Sequence, residues 1–192
     1  MSNFPFTTYH GIAAPLFGDN IDTDQIIPSR EMTSVFKTGL AGGLFAGQRY
    51  VEGRVPNPDF VLNQPLYEDA TILLSGQNFG CGSSREHAVW ALKEYGFRAI
   101  IAGSFGEIFY NNCIRNGVLP ITLTGAQIKS LPFEVCIDLE AQTVEGFAFE
   151  IDTGDKTMLL GGLDVIALTL NHEADISAFL SADKKKRPWI YN

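Results

Sequence analysis

The sequence has few cysteines, an excess of acidic over basic residues and no long apolar run. Cys81, Cys113 and Cys136 form an odd set whose spacing fits neither a disulfide framework nor a Cys-x-x-Cys metal or cluster motif. We therefore predict a reducing, cytoplasmic location and no metal bound to this chain. No stretch approaches the roughly 18 apolar residues of a membrane span, and the first residues lack the pattern of a secretory signal.

The charge balance narrows the choice of partner. Fourteen Lys and Arg residues stand against 22 Asp and Glu, which gives a formal net charge of −8. Nucleic acids and anionic membranes select basic surfaces, so we expect neither as a partner. The exception is the run from Lys184 to Arg187, interpreted as part of a solvated basic C-terminal tail over residues 184–192. A length of 192 residues fits a single domain.

From residue 70 onward the sequence indicates strands alternating with helices. Residues 71–74 are a short apolar strand, and a helix is predicted to begin at Ser83, which forms a capping box with Glu86. Apolar residues then recur with helical spacing until Gly96, a typical residue for ending a helix. Residues 97–102 follow as a buried strand.

The same pattern repeats immediately. Ser104 and Glu107 form a second predicted capping box, Gly117 ends the helix, and residues 118–121 lead into a strand whose proline indicates an edge position or a strand start. This succession predicts an α/β fold with parallel strand-helix-strand units and right-handed crossovers.

The rest of the chain is less regular. Residues 1–30 are predicted to be an irregular lead-in, residues 133–139 and 143–151 a hairpin, and residues 163–180 mostly helical. Residues 31–48 mix glycines with large apolar side chains, so they form either a mobile loop that packs when something covers it or a short core helix. We predict the mobile loop.

The most informative segment is the glycine-rich loop 77–82 before the first predicted helix. The unpaired N–H groups and dipole of a helix N-terminus favour an anion. The loop lacks the third glycine of a dinucleotide motif and the lysine of a P-loop. It offers Ser83, Ser84 and Arg85 instead, and arginine binds carboxylates through paired hydrogen bonds. A small carboxylate ligand is therefore one interpretation; the other is that Ser83 only caps the helix and Arg85 is only solvated.

Six sequence blocks together resemble a known family. The segment 76–88, GQNFGCGSSREHA, is similar to the motif of the aconitase C-terminal, or swivelling, domain, in the form found in small subunits of 3-isopropylmalate dehydratases. Residues 22–28, 57–63 and 104–112 match further blocks of that family, as do shorter segments at 138–142 and 162–164. The resemblance spans nearly the whole chain in order.

This resemblance implies a swivelling-domain-like β/β/α fold and a hydro-lyase built from two proteins. A large subunit would hold a [4Fe-4S] cluster, and the small subunit would close over it with the dicarboxylate substrate between them. By the family pattern, Ser83 is the base that removes a proton next to a carboxylate, and Asp24 is a second catalytic residue. Ser84 and Arg85 would bind the substrate carboxylate, with Arg30 as a further substrate-binding residue.

The resemblance leaves the substrate open. The reaction it implies interconverts 2-isopropylmalate and 3-isopropylmalate in leucine biosynthesis. Val89 and residues 155–158 depart from the usual family pattern, so a sister hydro-lyase for dimethylmalate, citramalate or homoaconitate is the first alternative. A non-catalytic carboxylate-binding or scaffold subunit is an alternative of another class.

Overall fold

The structure is a computed structural model that describes residues 4–32 and 36–191. The chain order of its strands and helices begins with β1 (Thr8–Pro15), α1 (Thr23–Ile26), α2 (Ala46–Arg49), β2 (Tyr50–Val51), β3 (Val55–Pro56), β4 (Ala70–Leu74) and α3 (Glu86–Tyr95). It continues with β5 (Ala99–Ala102), α4 (Glu107–Asn116), β6 (Leu119–Thr122), α5 (Gly125–Ser130) and β7 (Glu134–Asp138). The last elements are β8 (Thr143–Val144), β9 (Phe147–Ala148), α6 (Thr153–Gly161), α7 (Val165–Leu170) and α8 (Glu173–Lys186).

Seven strands form one mixed sheet in the order β6-β5-β4-β1-β7-β8-β9. The strands β1, β4, β5 and β6 are parallel neighbours, whereas β7, β8 and β9 add on in antiparallel fashion. The strand-helix-strand units predicted from the sequence are therefore confirmed, and Pro120 lies in the edge strand β6, as expected. The described residues contain no helix long and apolar enough to cross a membrane.

Alternating side chains of the sheet supply two separate cores. Leu73 and Ile100 pack with the apolar faces of α3 and α4, while their neighbours Ile72 and Ile101 pack on the other face, where α5 and α6 contribute. This is the period of two that a sheet covered on both faces requires. The sheet is therefore packed on both faces next to the edge where β4 and β5 end.

Two sequence predictions about local structure are wrong. The lead-in 1–30 contains β1, which lies inside the sheet between β4 and β7. Neither predicted capping box forms, because α3 begins at Glu86 with Arg85 as its N-cap and α4 begins at Glu107 with Gly106 as its N-cap. The capping box that does form joins Thr124 and Gln127 at the start of α5. Gly96 and Gly117 end their helices as predicted.

The prediction that residues 163–180 are mostly helical is confirmed. The helix continues further than predicted, into the basic residues that follow. Lys184, Lys185 and Lys186 form the last turn of α8, and Arg187 follows as its C-cap. Residues Pro188–Ile190 then form a 3-10 turn. The predicted tail 184–192 is thus partly helical, and Asn192 lies outside the described residues.

The described part of the segment 31–48 packs against the body of the protein. Leu40, Leu44 and Phe45 are fully buried, and Phe36 is exposed. Residues 33–35 lie outside the described residues, and mobility of the segment remains a prediction. The burial supports the alternative of core packing for residues 40–46.

The carboxylate of Glu94 attaches the backbone of this segment to α3. Glu94 accepts hydrogen bonds from the backbone N–H groups of Gly39, Leu40 and Ala41 at 2.6, 2.5 and 2.9 Å. Partial desolvation acts to raise the pKa of Glu94, but the three N–H donors outweigh it, and the pKa of Glu94 is lowered below its usual value. The charged form of Glu94 therefore stabilises the folded segment.

Replacing Glu94 by glutamine is expected to lower the free energy of unfolding by about 1 kcal/mol at neutral pH, a modest value because the side chain is exposed. Since the folded-state pKa is depressed, this contribution is present above the unfolded pKa and lost as pH falls through the folded value. The difference between wild type and Glu94→Gln should therefore shrink below about pH 4 in urea unfolding series. The exposed Glu150→Gln is the control, and equal losses in both variants would contradict the assignment.

Candidate functional site

The candidate site lies at the carboxyl edge of the parallel strands, where β4 and β5 end. The loop after β4 leads into α3 and the loop after β5 leads into α4, so both helix N-termini lie at the same edge. This edge is where open α/β sheets commonly bind ligands. Neither helix has a side-chain N-cap, so first-turn N–H groups of both are left for another partner.

A cleft of about 250 Å³ opens between these two loops. It is bordered by the glycine-rich loop, the first turn of α4 and one residue of α1, and its lining residues are Thr23, Gly80, Cys81, Gly82, Ser83, Arg85, Gly106, Glu107, Ile108 and Phe109. The predicted base and the predicted carboxylate-binding arginine thus share one cavity.

Glycine is required where the loops cross. Gly80 has φ of +73°, and a Cβ at this position would lie 2.1 Å from Cγ of Phe109. The two loops touch again at Gly106, whose added Cβ would lie 2.8 Å from the carbonyl oxygen of Gly80. The floor of the cleft is therefore formed by backbone packed directly on backbone and on the Phe109 ring.

The short helix α1 is fastened to the glycine-rich loop by two hydrogen bonds. The Thr23 N–H donates to the Cys81 carbonyl at 2.9 Å, and the Thr23 hydroxyl donates to the Ser83 carbonyl at 2.9 Å. Asp22 caps the same helix, accepting from the N–H of Gln25 at 2.7 Å. Asp22 therefore acts through a backbone contact within its own turn, and the helix that it caps also carries Asp24.

Asp24 and Arg85 form an ion pair at the edge of the cleft. Asp24 Oδ1 accepts a hydrogen bond from Arg85 Nη1 and a longer one, at 3.3 Å, from the hydroxyl of Ser29. Arg85 is mostly buried, with 23% of its side chain exposed, so the pair fixes the direction of the guanidinium. Arginine has five N–H donors, and one contact to Asp24 leaves others for a ligand.

Ser83 lines the cleft, and both Ser83 and Ser84, the two residues before Arg85, are exposed. Ser83 does not cap α3, so its hydroxyl is not used by the helix, although its backbone carbonyl accepts from the N–H of Arg85 at 2.8 Å. The corresponding Ser104 of the second loop has a structural role. Its hydroxyl donates to Gln77 Oε1 at 2.9 Å and accepts from the N–H of Asn78 at 2.8 Å.

Arg30 is not brought to this cleft. Its Nε lies 3.5 Å from the carboxylate of Glu31, which also pairs with Arg54 at 3.0 Å, and these residues border a separate surface cavity. Of the five predicted site residues, the structure therefore groups Ser83, Arg85 and Asp24 and leaves Arg30 apart. Ser84 lies between Ser83 and Arg85 in the chain but is not among the residues that line the cleft. A role for Arg30 in substrate binding stays a prediction.

The three cysteines are free and lie in different elements: Cys81 in the glycine-rich loop, Cys113 in α4 and Cys136 in β7. Burial raises the pKa of the Cys113 thiol well above its usual value. Within residues 4–32 and 36–191, no group of three or more His, Cys, Asp or Glu side chains could hold a metal ion. The described residues of this chain therefore do not form a ligand set for an iron–sulfur cluster.

The sequence analysis did not predict that the loop between β5 and α4 contributes to the cleft. Gly106, Glu107, Ile108 and Phe109 line the cleft, yet the block around them was interpreted only as a family match and a helix start. A signal was available, because two successive parallel strand-helix units place their helix N-termini side by side. The role of Thr23 had no comparable signal, since it depends on hydrogen bonds between segments 60 residues apart.

Comparison with known proteins shows which family the chain resembles. Residues 3–126 match the family described as the aconitase C-terminal domain. A relative from Cupriavidus necator is 54% identical over 97% of this chain and 98% of its own length, and one from Agrobacterium fabrum is 47% identical over 96% and 98%. Both relatives carry the name 3-isopropylmalate dehydratase small subunit.

A solved structure has the same fold. The crystal structure of a 3-isopropylmalate dehydratase from Methanocaldococcus jannaschii superimposes with a TM-score of 0.68 at 28% sequence identity. The match covers 89% of this chain and 98% of that one. The predicted swivelling-domain-like α/β fold is therefore confirmed.

Proposed function

Because the chain belongs to the aconitase C-terminal domain family, and within it to the 3-isopropylmalate dehydratase small subunits, we propose that it is the small subunit of a two-component hydro-lyase of leucine biosynthesis. Together with a large subunit it interconverts 2-isopropylmalate and 3-isopropylmalate by dehydration and rehydration. The observation that carries the proposal is the Ser83 hydroxyl, free of any capping role, beside the Arg85–Asp24 ion pair in the cleft.

In this proposal Ser83 moves the proton. Dehydration removes a hydrogen from the carbon next to one carboxylate and the hydroxyl from the neighbouring carbon, which leaves a substituted maleate. Ser83 Oγ, as alkoxide, takes that hydrogen as a proton and later returns a proton to the other carbon. A serine hydroxyl is a weak acid, so the alkoxide needs the nearby Arg85 guanidinium and the positive end of α3 to stabilise its charge.

Arg85 and Ser84 orient the substrate. One part of the guanidinium is committed to Asp24, and the remaining N–H donors can form the paired hydrogen bonds that a carboxylate accepts. Asp24 acts through Arg85 in this arrangement, as a positioning residue. Ser84, next to Ser83 in the chain and exposed, would supply a further hydroxyl donor.

The proposal assigns the [4Fe-4S] cluster to the large subunit, since the described residues here do not form a ligand set for it. It also places the enzyme in the cytoplasm, where the three free cysteines stay reduced. The site on this chain is open to solvent on one side, and the large subunit would close it.

Reconstitution with a large subunit tests the proposal. The mixture should convert 2-isopropylmalate with a higher kcat/KM than dimethylmalate, citramalate or homoaconitate, and this chain alone should be inactive. A preference for one of the other substrates would instead support a sister hydro-lyase. Absence of turnover with every large subunit and substrate, despite complex formation, would support a non-catalytic role.

Replacing Arg85 by lysine is expected to lower kcat/KM of the reconstituted enzyme about 100-fold or more, mostly through a higher KM. Lysine keeps the charge but cannot pair with Asp24 and with a substrate carboxylate through a rigid fork. Steady-state kinetics measure this, with circular dichroism to verify the fold. Arg30→Lys is the comparison, and an equal rise of KM there would support Arg30 as a substrate-binding residue.

A further inference from the structure

The C-terminal helix α8 has an apolar face that is substantially exposed to solvent. Ile176, Phe179 and Leu180 are spaced as one face of a helix, and 39%, 64% and 41% of their surfaces are exposed. Asp183 is the single buried residue among those described in α8. Soluble proteins rarely leave adjoining large apolar side chains open unless another molecule packs there.

The one acidic residue on this face is neutralised. Asp183 lies one turn after Phe179 and Leu180, and its carboxylate accepts hydrogen bonds from Arg187 Nε at 2.7 Å and from the Tyr191 hydroxyl at 2.6 Å. These bonds fold the last residues back over the helix end. The face therefore extends toward Tyr191 without an open negative charge.

Each side of the apolar face carries one acidic and one basic residue. At about 100° per residue, Glu173 and Lys184 lie on one flank of the face and Asp175 and Lys186 on the other. On each flank the acidic residue is in the first turn of the helix and the basic residue in the last. All four side chains are exposed, and Lys184 lies over the ring of Tyr191.

We propose that α8 pairs with α8 of a second copy of this chain, antiparallel and across a two-fold axis. In such a pair each flank meets the same flank of the other copy, so Glu173 faces Lys184 of the second copy and Asp175 faces its Lys186. Along the sequence, the midpoint between Glu173 and Lys184 and the midpoint between Asp175 and Lys186 each lie within one residue of the boundary between Phe179 and Leu180. The charges and the apolar contacts therefore select the same register.

The opposite orientation is disfavoured by the same charges. A parallel two-fold pair brings each flank against the opposite flank of the other copy, which places Glu173 near Asp175 and Lys184 near Lys186. Like charges at these positions repel. The contact is a single helix of 14 residues with neighbouring apolar side chains. Such a small interface gives a concentration-dependent dimer.

Sedimentation velocity of the full chain at increasing concentration tests this proposal, using two charge-reversed variants. One carries Glu173→Lys with Asp175→Lys, so its flanks are all basic; the other carries Lys184→Glu with Lys186→Glu, so its flanks are all acidic. Each variant alone should raise the dimer dissociation constant at least about tenfold. An equimolar mixture should restore association as a dimer with one copy of each.

Lys185→Glu is the matched control, because Lys185 points away from the apolar face and its reversal should leave the dimer unchanged. Circular dichroism of each variant verifies the helix content. A wild-type chain that stays monomeric at every concentration would overturn the proposal, as would dimers insensitive to both double reversals or a mixture that fails to associate. If the reversals instead weaken only binding to the large subunit, the face belongs to that partner and the proposal is wrong.

Discussion

Replacing Ser83 by alanine is expected to reduce kcat of the reconstituted enzyme by about 10²- to 10⁴-fold, the usual contribution of a positioned base. The change removes only one oxygen from an exposed loop residue that does not cap α3. Stability, complex formation and KM should therefore change little. Steady-state kinetics of the complex, with thermal unfolding of the isolated variant, measure both expectations.

Ser84→Ala is the matched control for this prediction. Ser84 is the neighbouring serine, equally exposed, and it is assigned only a hydrogen bond to substrate. Its loss should raise KM by about tenfold and affect kcat less, since one hydrogen bond to a charged group contributes about 1.5–3 kcal/mol at most. Near-normal kcat in Ser83→Ala, or equal effects in both variants, would reject Ser83 as the base.

Replacing Gly80 by alanine is expected to have the largest effect on stability. The added Cβ would overlap the Phe109 ring, and alanine is also strained at a φ of +73°. Overpacking of a close contact costs about 1–3 kcal/mol and the left-handed conformation about 1–2 kcal/mol. We expect a loss of about 2–5 kcal/mol in urea unfolding, and loss of activity because the floor of the cleft moves.

Gly146→Ala separates these two causes. Gly146 also has a positive φ, of +84°, but an added Cβ there meets no atom within 4 Å. This variant should therefore lose only the conformational contribution, about 1–2 kcal/mol, and keep full activity. Equal destabilisation of the two variants would show that the contact with Phe109 is not what requires glycine at position 80.

The regular α/β units could be predicted because their signals are local. Apolar runs of four or five residues, helical spacing and the stop glycines Gly96 and Gly117 each lie within a few residues of the element they define. The strand β1 was missed because its pairing partners in β4 and β7 are distant in sequence, and its own residues include His10 and Gly11. Tertiary pairing overrides weak local preference there.

The candidate site could be predicted only in part, for a related reason. Ser83, Ser84 and Arg85 are contiguous, and the resemblance to a family identified them directly. The two serine-glutamate pairs satisfied the capping rule in sequence, but backbone contacts between loops, such as that of Gly80 with Gly106, set the start of each helix instead. The succession of strand-helix units indicates that the two loops lie at one sheet edge, but their direct backbone contact has no local sequence signal.

The central position of β1 has a consequence for how the chain folds during synthesis. Ile12 pairs with Ala70, and Thr8 pairs with Asp138, so the first strand must wait for partners made much later. The strands of the β4-α3-β5-α4-β6 segment pair only with strands of that segment and with β1, so the segment can form before the antiparallel strands emerge. We expect β1 to remain exposed until β4 leaves the ribosome, and its pairing with β7 to complete the sheet only when most of the chain has been translated.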